Sequence, residues 1–526
     1  MAMQTFLNKT LGIIDFKQLR GRRKILLDVF YTDFIADPIK VIKDNIDIII
    51  EQHCQNVSEF RYLEDFKKGF QDIYNKIKAN GNDINNMEVT NYSWEIVKFK
   101  LGYYVGKPIT YVNNNDDTND EMVFFNRYLE SCDKSSKDIQ KYNNLLTTGL
   151  AYTFTRPNPK KYDSNSEAPY TYDVLNNENV CMVYSNDMSN TLLFSVYFTK
   201  KNLPDETGKI KSYDSYLCYA NNKSYEIVRK KDGTDPFTTF EKSEPMEQPI
   251  TEYELNPERM CCFEPIISSL NTCNIVRSNQ LDDIEEFVNA LLVFLNQNPD
   301  FIKNNMDQIK KSRMIGLKTN NPNTPADLKV VAHSLDHNSV NNLYNNVKQD
   351  AFDIVGVPMA TTSTGQGVSG TSQQYGGGWE NAQNIANVDT TYIKKFERED
   401  MKKFITICKD GVENKLKNIS SSDIVIKYTI SKSNDIMNKS QSFKYLVDLG
   451  IPYDKALEVT QLHDDNYALG KSAEINYFDR MKKTNDLTIE KEVELYKRKK
   501  EIDKEYSEEN NSNQNENEVI EDINRE

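Results

Sequence analysis

The sequence is short of the residues that most catalytic chemistries need. It holds 4 histidines in 526 residues, at positions 53, 333, 337 and 463, so a hydrolase triad has few possible bases. Its 8 cysteines are scattered, no Cys-x-x-Cys occurs, and the one adjacent pair is Cys261–Cys262. Such spacing points to buried free thiols in a reducing compartment. Long apolar runs are missing too. The longest, ALLVFL (Ala290–Leu295), falls far below the ~20 residues of a membrane span. Leu11–Ile14 and Ile25–Leu27 are too short for a secretory core. Synthesis and retention in a cytoplasm, with no membrane partner, is the expectation.

Apolar residues make up 38% of the chain and mean hydropathy is -0.68, yet 24 Phe, 30 Tyr and 2 Trp supply ample core material. Two to four structural units with long polar surfaces fit that balance. Net charge is -14, against the clustered cations that tight nucleic-acid binding requires. A protein that DNA passes without sticking stays compatible.

The N-terminal half mixes helices and strands. Asp37-Pro38 is a helix-start signal, followed by Ile39, Ile42, Ile46, Ile49 and Ile50 at helical spacing. A second helix is expected over Phe60–Ala79, a β-rich run around a Gly-Lys-Pro turn over Tyr103–Val112, and a polar loop over Asn113–Glu121. Strands are expected at Ala151–Arg156, Val180–Ser185, Leu192–Phe198 and Ile424–Ile430.

From Asp282, Ile284, Phe287, Val288, Leu291, Leu292 and Leu295 form one helical stripe, and Asp282, Asp283, Glu285 and Glu286 lie opposite. After a compact insert, Val340, Leu343, Tyr344, Val347, Ala351, Ile354 and Val355 form a second stripe beside Asp350 and Asp353. A third helix is expected from Trp379 to about Asn414, ~50 Å long. Ser440–Lys504 reads as helical with a break at Gly450–Asp454, ahead of an acidic, Asn-rich tail expected to be disordered.

No catalytic, cofactor or metal set emerges. The stretch Thr364–Trp379 contains GQGVSG, which satisfies G-x-G-x-x-G. It follows a helix rather than a strand and has no Walker-type Lys, so a mobile loop is the better reading. A nucleotide-using enzyme built on that loop is the alternative. His333 and His337 stand four apart with only Asp336 between them as a further ligand. Asn113–Glu121 has Thr118 where a calcium loop needs Gly. The basic run Arg20–Lys24 reads as a solvated surface segment, and Lys303, Lys310, Lys311 and Arg313 cluster within the insert.

The order of these elements resembles the portal proteins of tailed double-stranded-DNA phages. Gly102–Tyr111 (GYYVGKPITY), Thr147–Phe154 (TTGLAYTF), Leu281–Phe294, Val368–Ser372 (VSGTS) and Asp448–Asp465 are similar to segments of the branch found in long-tailed phages of Gram-positive bacteria. The resemblance spans roughly residues 30–480.

It implies an α+β multidomain, portal-type fold. The units would be a wing (1–269), stem helices (270–298 and 337–356), an α/β clip (299–336), a tunnel loop (357–378), a wing return of long helix and strand (379–431), a helical crown (432–505) and a tail (506–526). It further implies a non-enzymatic ring, dodecameric in the usual case, at one capsid vertex of the virion. Such a ring is the channel for genome packaging and DNA ejection; another minor virion structural protein is the further alternative, disfavoured by the two helices that bracket an insert.

Its partners would be other copies of itself, the passing DNA, the terminase large subunit, head-completion or adaptor proteins, and major capsid and scaffolding proteins. Thr361, Thr362, Ser363, Gly365, Gln366, Gly367, Ser369, Gly370, Gln373 and Gln374 would then offer the duplex neutral contacts. Neutral contacts release few counterions and bind DNA weakly. The four acidic residues on the first stem helix, with Asp350 and Asp353, would repel phosphate, and the four clip cations would meet motor, adaptor or DNA.

Overall fold

The structure is a computed structural model. It describes residues 21–77, 84–113, 119–160, 162–204, 210–230, 238–288, 291–295, 327–331, 337–359, 378–411, 415–430, 436–451, 456–457, 460 and 496–500. The chain divides into two compact units, Met1–Ser431 and Lys432–Glu526.

The larger unit opens with strand β1 (Ile25–Leu27) and the short helix α1 (Tyr31–Ala36). Helix α2 (Pro38–Lys68) starts as its sequence dictates. The Asp37 side chain accepts from Lys40 N, and Pro38 occupies the first turn, where its missing N–H costs nothing. The helix expected separately over Phe60–Ala79 is the second half of α2. It stops at Gly69, with a 3₁₀ turn over Asp72–Asn75 beyond it.

Helix α3 (Tyr92–Val105) is capped by Asn91 and takes up Tyr103–Val105, which had looked β-rich. Only β2 (Thr110–Asn113) of that run is extended. Helices α4 (Asn119–Ser131) and α5 (Lys134–Thr148) lead into β3 (Leu150–Pro157) and β4 (Tyr170–Leu175). Then come β5 (Val180–Ser185), β6 (Leu192–Pro204), β7 (Ile210–Ala220), β8 (Lys223–Lys230), β9 (Thr238–Ser243) and β10 (Ile250–Glu254).

Helix α6 (Ile267–Val288) follows. The stripe expected to continue helically to Leu295 does not: Leu291–Leu295 is strand β11, paired antiparallel with β12 (Asp327–Val331). LLVFL is a short run of apolar residues, and periodicity alone cannot tell such a run from a helix segment. Helix α7 (His337–Val355), the 32-residue α8 (Trp379–Asp410) and β13 (Ile424–Lys427) complete the unit. In the smaller unit α9 (Ile436–Asp448) ends at Leu449–Gly450, at the expected break.

A six-stranded sheet runs in the order β1-β5-β6-β7-β8-β9, antiparallel except for the β1–β5 pair. On one face Ile42, Ile46 and Ile49 of α2 join Phe34, Phe194, Val196 and Ile227 in a closed core. A smaller sheet, β10-β3-β4, lies against α5 and α8, and β13 pairs with β2.

The basic run at the start is not a solvated segment throughout. Arg22 is buried between Glu59 (3.2 Å) and Glu264 (2.6 Å). Two carboxylates beside one guanidinium leave a surplus charge in a poorly solvated site. Burial accordingly pushes the Glu59 carboxyl up to about 7 despite the pull of Arg22.

Beneath α8 lies a denser polar cluster. Lys134, Asp138 and Lys141 sit at i, i+4 and i+7 on α5, a spacing that ordinarily marks a wetted face. Here it faces Glu397, whose side chain has no exposure. Lys134 pairs with Asp138 at 2.7 Å and Glu397 at 3.2 Å; Lys141 pairs with Asp138 at 2.9 Å and also with Glu397. Burial alone would raise the Glu397 carboxyl, but the two ammonium groups outweigh it and hold it well below the ordinary range. One turn on, Asp400 accepts from Thr153 Oγ1, Thr251 Oγ1 and Tyr253 Oη.

Removing one partner of such a cluster strands the others. Glu397→Gln is expected to cost about 3 kcal/mol in urea unfolding, and an unchanged midpoint would show the cluster to be energetically idle. Glu59 has the opposite sign of pH dependence. Its folded value stands above the ordinary 4.5, so stability declines as pH rises from there to about 7. Glu59→Gln should therefore stabilise the protein more at pH 8 than at pH 5, by about 2 kcal/mol, when the two pH values are compared by denaturant titration.

Candidate functional site

The candidate site is the α6–α7 helix pair with its supports, since it carries the described members of the predicted acidic face. Helix α6 is gripped on one side by the segment 84–91. Asn274 Oδ1 accepts from Thr90 N at 2.9 Å, Ser278 Oγ from Glu88 N at 2.9 Å, and Asp282 Oδ1 from Asn86 N at 2.6 Å. Asn274 also donates to Gln71 Oε1, and Asn271 to Asp72. On the next side of the helix Gln280 donates to Asn341 at 3.0 Å, and Arg277 lies 4.2 Å above the Tyr344 ring of α7. The intramolecular contacts of the second half of α6 are therefore largely polar. Between the two grips lies an open cleft of about 520 Å³, floored by Arg277, Gln280, Leu281 and Ile284 and walled by Glu88, Thr90 and Asn341.

This inverts part of the sequence reading. Ile284, Leu343 and Ile354, expected to face inward, are 49%, 53% and 60% exposed, and Leu281 is 40% exposed, whereas Tyr344, Ala351 and Val355 are buried as expected. Asp282, expected to be solvent-facing, pairs with Lys76 at 2.5 Å. Burial would raise its carboxyl, but the bonds from Lys76 and Asn86 win and hold it below the ordinary value. Glu285 is exposed and accepts from Asn86 Nδ2 at 2.9 Å. Asp283 is half-buried, Asp350 is exposed, and Asp353 accepts from Gln349 on its own helix. Periodicity assigns apolar residues to the interior, and it cannot see that hydrogen-bonding side chains fill this interface.

The Glu286 side chain lies outside the described residues, as do the tunnel-loop residues Thr361, Thr362, Ser363, Gly365, Gln366, Gly367, Ser369, Gly370, Gln373 and Gln374. So do the clip cations Lys303, Lys310, Lys311 and Arg313, and His333. The element described before GQGVSG is helix α7, not a strand. Among the described residues no group of His, Cys, Asp and Glu could hold a metal ion, and no helix is long and apolar enough to cross a membrane. Several contacts went unseen in sequence. Tyr92 Oη lies 2.5 Å from Tyr344 Oη, tying α3 to α7, and Tyr104 donates to Asp389 of α8 at 2.6 Å. Their only sequence trace is the aromatic density of Tyr92–Tyr104.

The helix pair thus joins the main apolar core through Leu270, Cys273, Tyr344, Ala351, Phe352 and Val355, adds polar contacts along the second half of α6, and leaves some apolar side chains outward. The family model "Phage portal protein, SPP1 Gp6-like" matches residues 46–429. The chain belongs to this phage portal family, whose members are structural components of the virion. One chain of a solved structure, the "Virion of native gene transfer agent (GTA) particle", is similar at 10% identity, with 70% of this chain and 89% of that one covered and a TM-score of 0.34. No curated protein matches in sequence.

Asp282→Ala removes the acceptor that holds Asn86 N and the partner of Lys76. The expected result is hydrogen exchange at residues 86–90 faster by about tenfold, with the global unfolding midpoint moved little. Unaltered exchange would mean that the segment is held from elsewhere.

Proposed function

We propose that the chain is the portal subunit of a long-tailed phage of Gram-positive bacteria. About twelve copies close into a ring at one capsid vertex, through which DNA is packaged and later ejected. The observation that carries this reading is family membership over residues 46–429, a range that runs from within α2 to just past β13 and includes α6, α7 and the long helix α8. The half-exposed Leu281, Ile284, Leu343 and Ile354 support it. Apolar side chains left uncovered at helical spacing are what a lateral contact with a neighbouring copy would bury.

In this reading 270–298 and 337–356 serve as stem and 299–336 as clip. The segment 357–378 is the tunnel loop, 379–431 the wing return and 432–505 the crown. The subunit has no catalytic role. The ring assembles in the host cytoplasm with capsid and scaffolding proteins, receives the terminase large subunit during filling and binds head-completion proteins afterwards. Glu285 and Asp350 repel phosphate if they face the channel, and the neutral Thr, Ser and Gln side chains of the tunnel loop keep contacts weak.

Native mass and class-averaged micrographs of the purified protein test this directly. A ring near 730 kDa, about twelve times the 60.9 kDa chain, with an axial hole is expected. The double variant Ile284→Asp, Leu343→Asp should lower the ring fraction at least tenfold. A compact monomer or dimer that stays so with capsid and scaffolding proteins present would overturn the ring, and a nucleotide-binding assay on GQGVSG would follow.

A further inference from the structure

The Gly-rich stretch closes on three glycines and Trp379, the first residue of α8. Helix α7 stops at Gly356, a left-handed residue at φ 66, where Val357 N turns back to donate to Phe352 O at 2.9 Å. A side chain there would be strained, and its Cβ would also stand 2.4 Å from Ile385 Cδ1 of α8. Helix α8 opens after Gly378, left-handed at φ 79, whose added Cβ would touch Pro358 at 3.8 Å. Asn381 Nδ2 donates to Asp353 O at 3.1 Å, closing the pair. The chain thus leaves α7 and enters α8 at adjoining points.

Both points rest on α3. On the α7 side, Tyr92 bonds Tyr344 and meets Phe352 edge-on at 5.4 Å. On the α8 side, the Trp379 ring lies 5.9 Å from Phe99 and 6.3 Å from Tyr103, tilted by 57° and 51°, and those two rings are stacked on each other at 5.4 Å. Such tilted contacts suit the quadrupoles of aromatic rings. Trp379 keeps 38% of its surface exposed, and its ring contacts are with Phe99 and Tyr103.

We propose that Trp379, seated on Phe99 and Tyr103, is a positioning residue: it fixes the start of α8 against the end of α7, so that what joins them is presented from a rigid base. This inference rests on the reading of 357–378 as the tunnel loop. Its effect on DNA is indirect, through the base that it holds.

The chain has only two tryptophans, and Trp94 lies exposed on α3, so Trp94→Phe leaves Trp379 as sole reporter. In purified full-length protein, acrylamide should quench Trp379 several-fold more slowly than free N-acetyltryptophanamide. Phe99→Leu, which removes a ring but keeps an apolar side chain of similar bulk, should speed the quenching. Quenching as fast as the free compound, unmoved by Phe99→Leu, overturns the seat whatever the loop does.

In a packaging assay, Trp379→Ala rings should package DNA at least tenfold less, and Trp379→Phe should restore most of it. If shortening 365–377 blocks packaging while Trp379→Ala packages normally, the positioning role falls and the tunnel-loop reading stands. If shortening changes nothing, the tunnel-loop reading falls and takes the positioning role with it. Should Trp379→Ala form no rings, the Phe99→Leu ring carries the packaging comparison with the same expected loss, and normal packaging there is equally fatal.

Discussion

Charge taken out of water has to be paired where it lies, and much of the larger unit is arranged around that constraint. Glu397 and Asp400, a turn apart on α8, lie in the same dry layer. Glu397 requires Lys134 and Lys141 from α5, and Asp400 requires the hydroxyls of Thr153, Thr251 and Tyr253 from β3 and β10. The partners come from three elements, α5, β3 and β10, so the helix can neither slide by a residue nor roll on the sheet without stranding a charge. An apolar seam of similar area would tolerate small slips. Against this fixed point the ring stack of Tyr170 on Phe404, at 4.4 Å, completes the contact.

The α6–α7 pair obeys the converse rule. Tyr344, Ala351, Phe352 and Val355 join the main core, but the second half of α6 is held by Asn, Ser, Gln and Arg contacts, and Leu281, Ile284, Leu343 and Ile354 stay partly outward. Alone, such a pair is unfinished, because outward apolar groups gain nothing from water.

What the sequence made legible was whatever is decided locally. Asp37-Pro38 starts a helix because a carboxylate and a proline suit its first turn, and α8 runs over nearly the range its periodicity indicates. Val180–Ser185 is a strand as read. Where the reading failed, tertiary partners decided. Tyr103–Val105 are helical because their rings pack beneath Trp379 and α8, against a β-branched and aromatic composition. Leu291–Leu295 became a strand because Asp327–Val331 lies beside it. Arg22 looked like surface because its two carboxylates lie 37 and 242 residues away. Asp282 looked unattached because Lys76 and Asn86 belong to another segment. In each case the deciding partner is distant in sequence.

Strand β1 carries a consequence for the order of events during synthesis. Its parallel partner is β5, with Ile25 opposite Val183, and just before it Arg22 N donates to the Arg259 carbonyl. A ribosome releases residues 21–27 before the rest of the described chain, yet their last partner, Glu264, emerges some 240 residues later. The beginning of the described chain is thus among the last parts to find its place, after a loop closure that is slow on topological grounds. The nascent chain stays open at that edge until Arg259 and Glu264 have emerged, and only then can the edge be sealed.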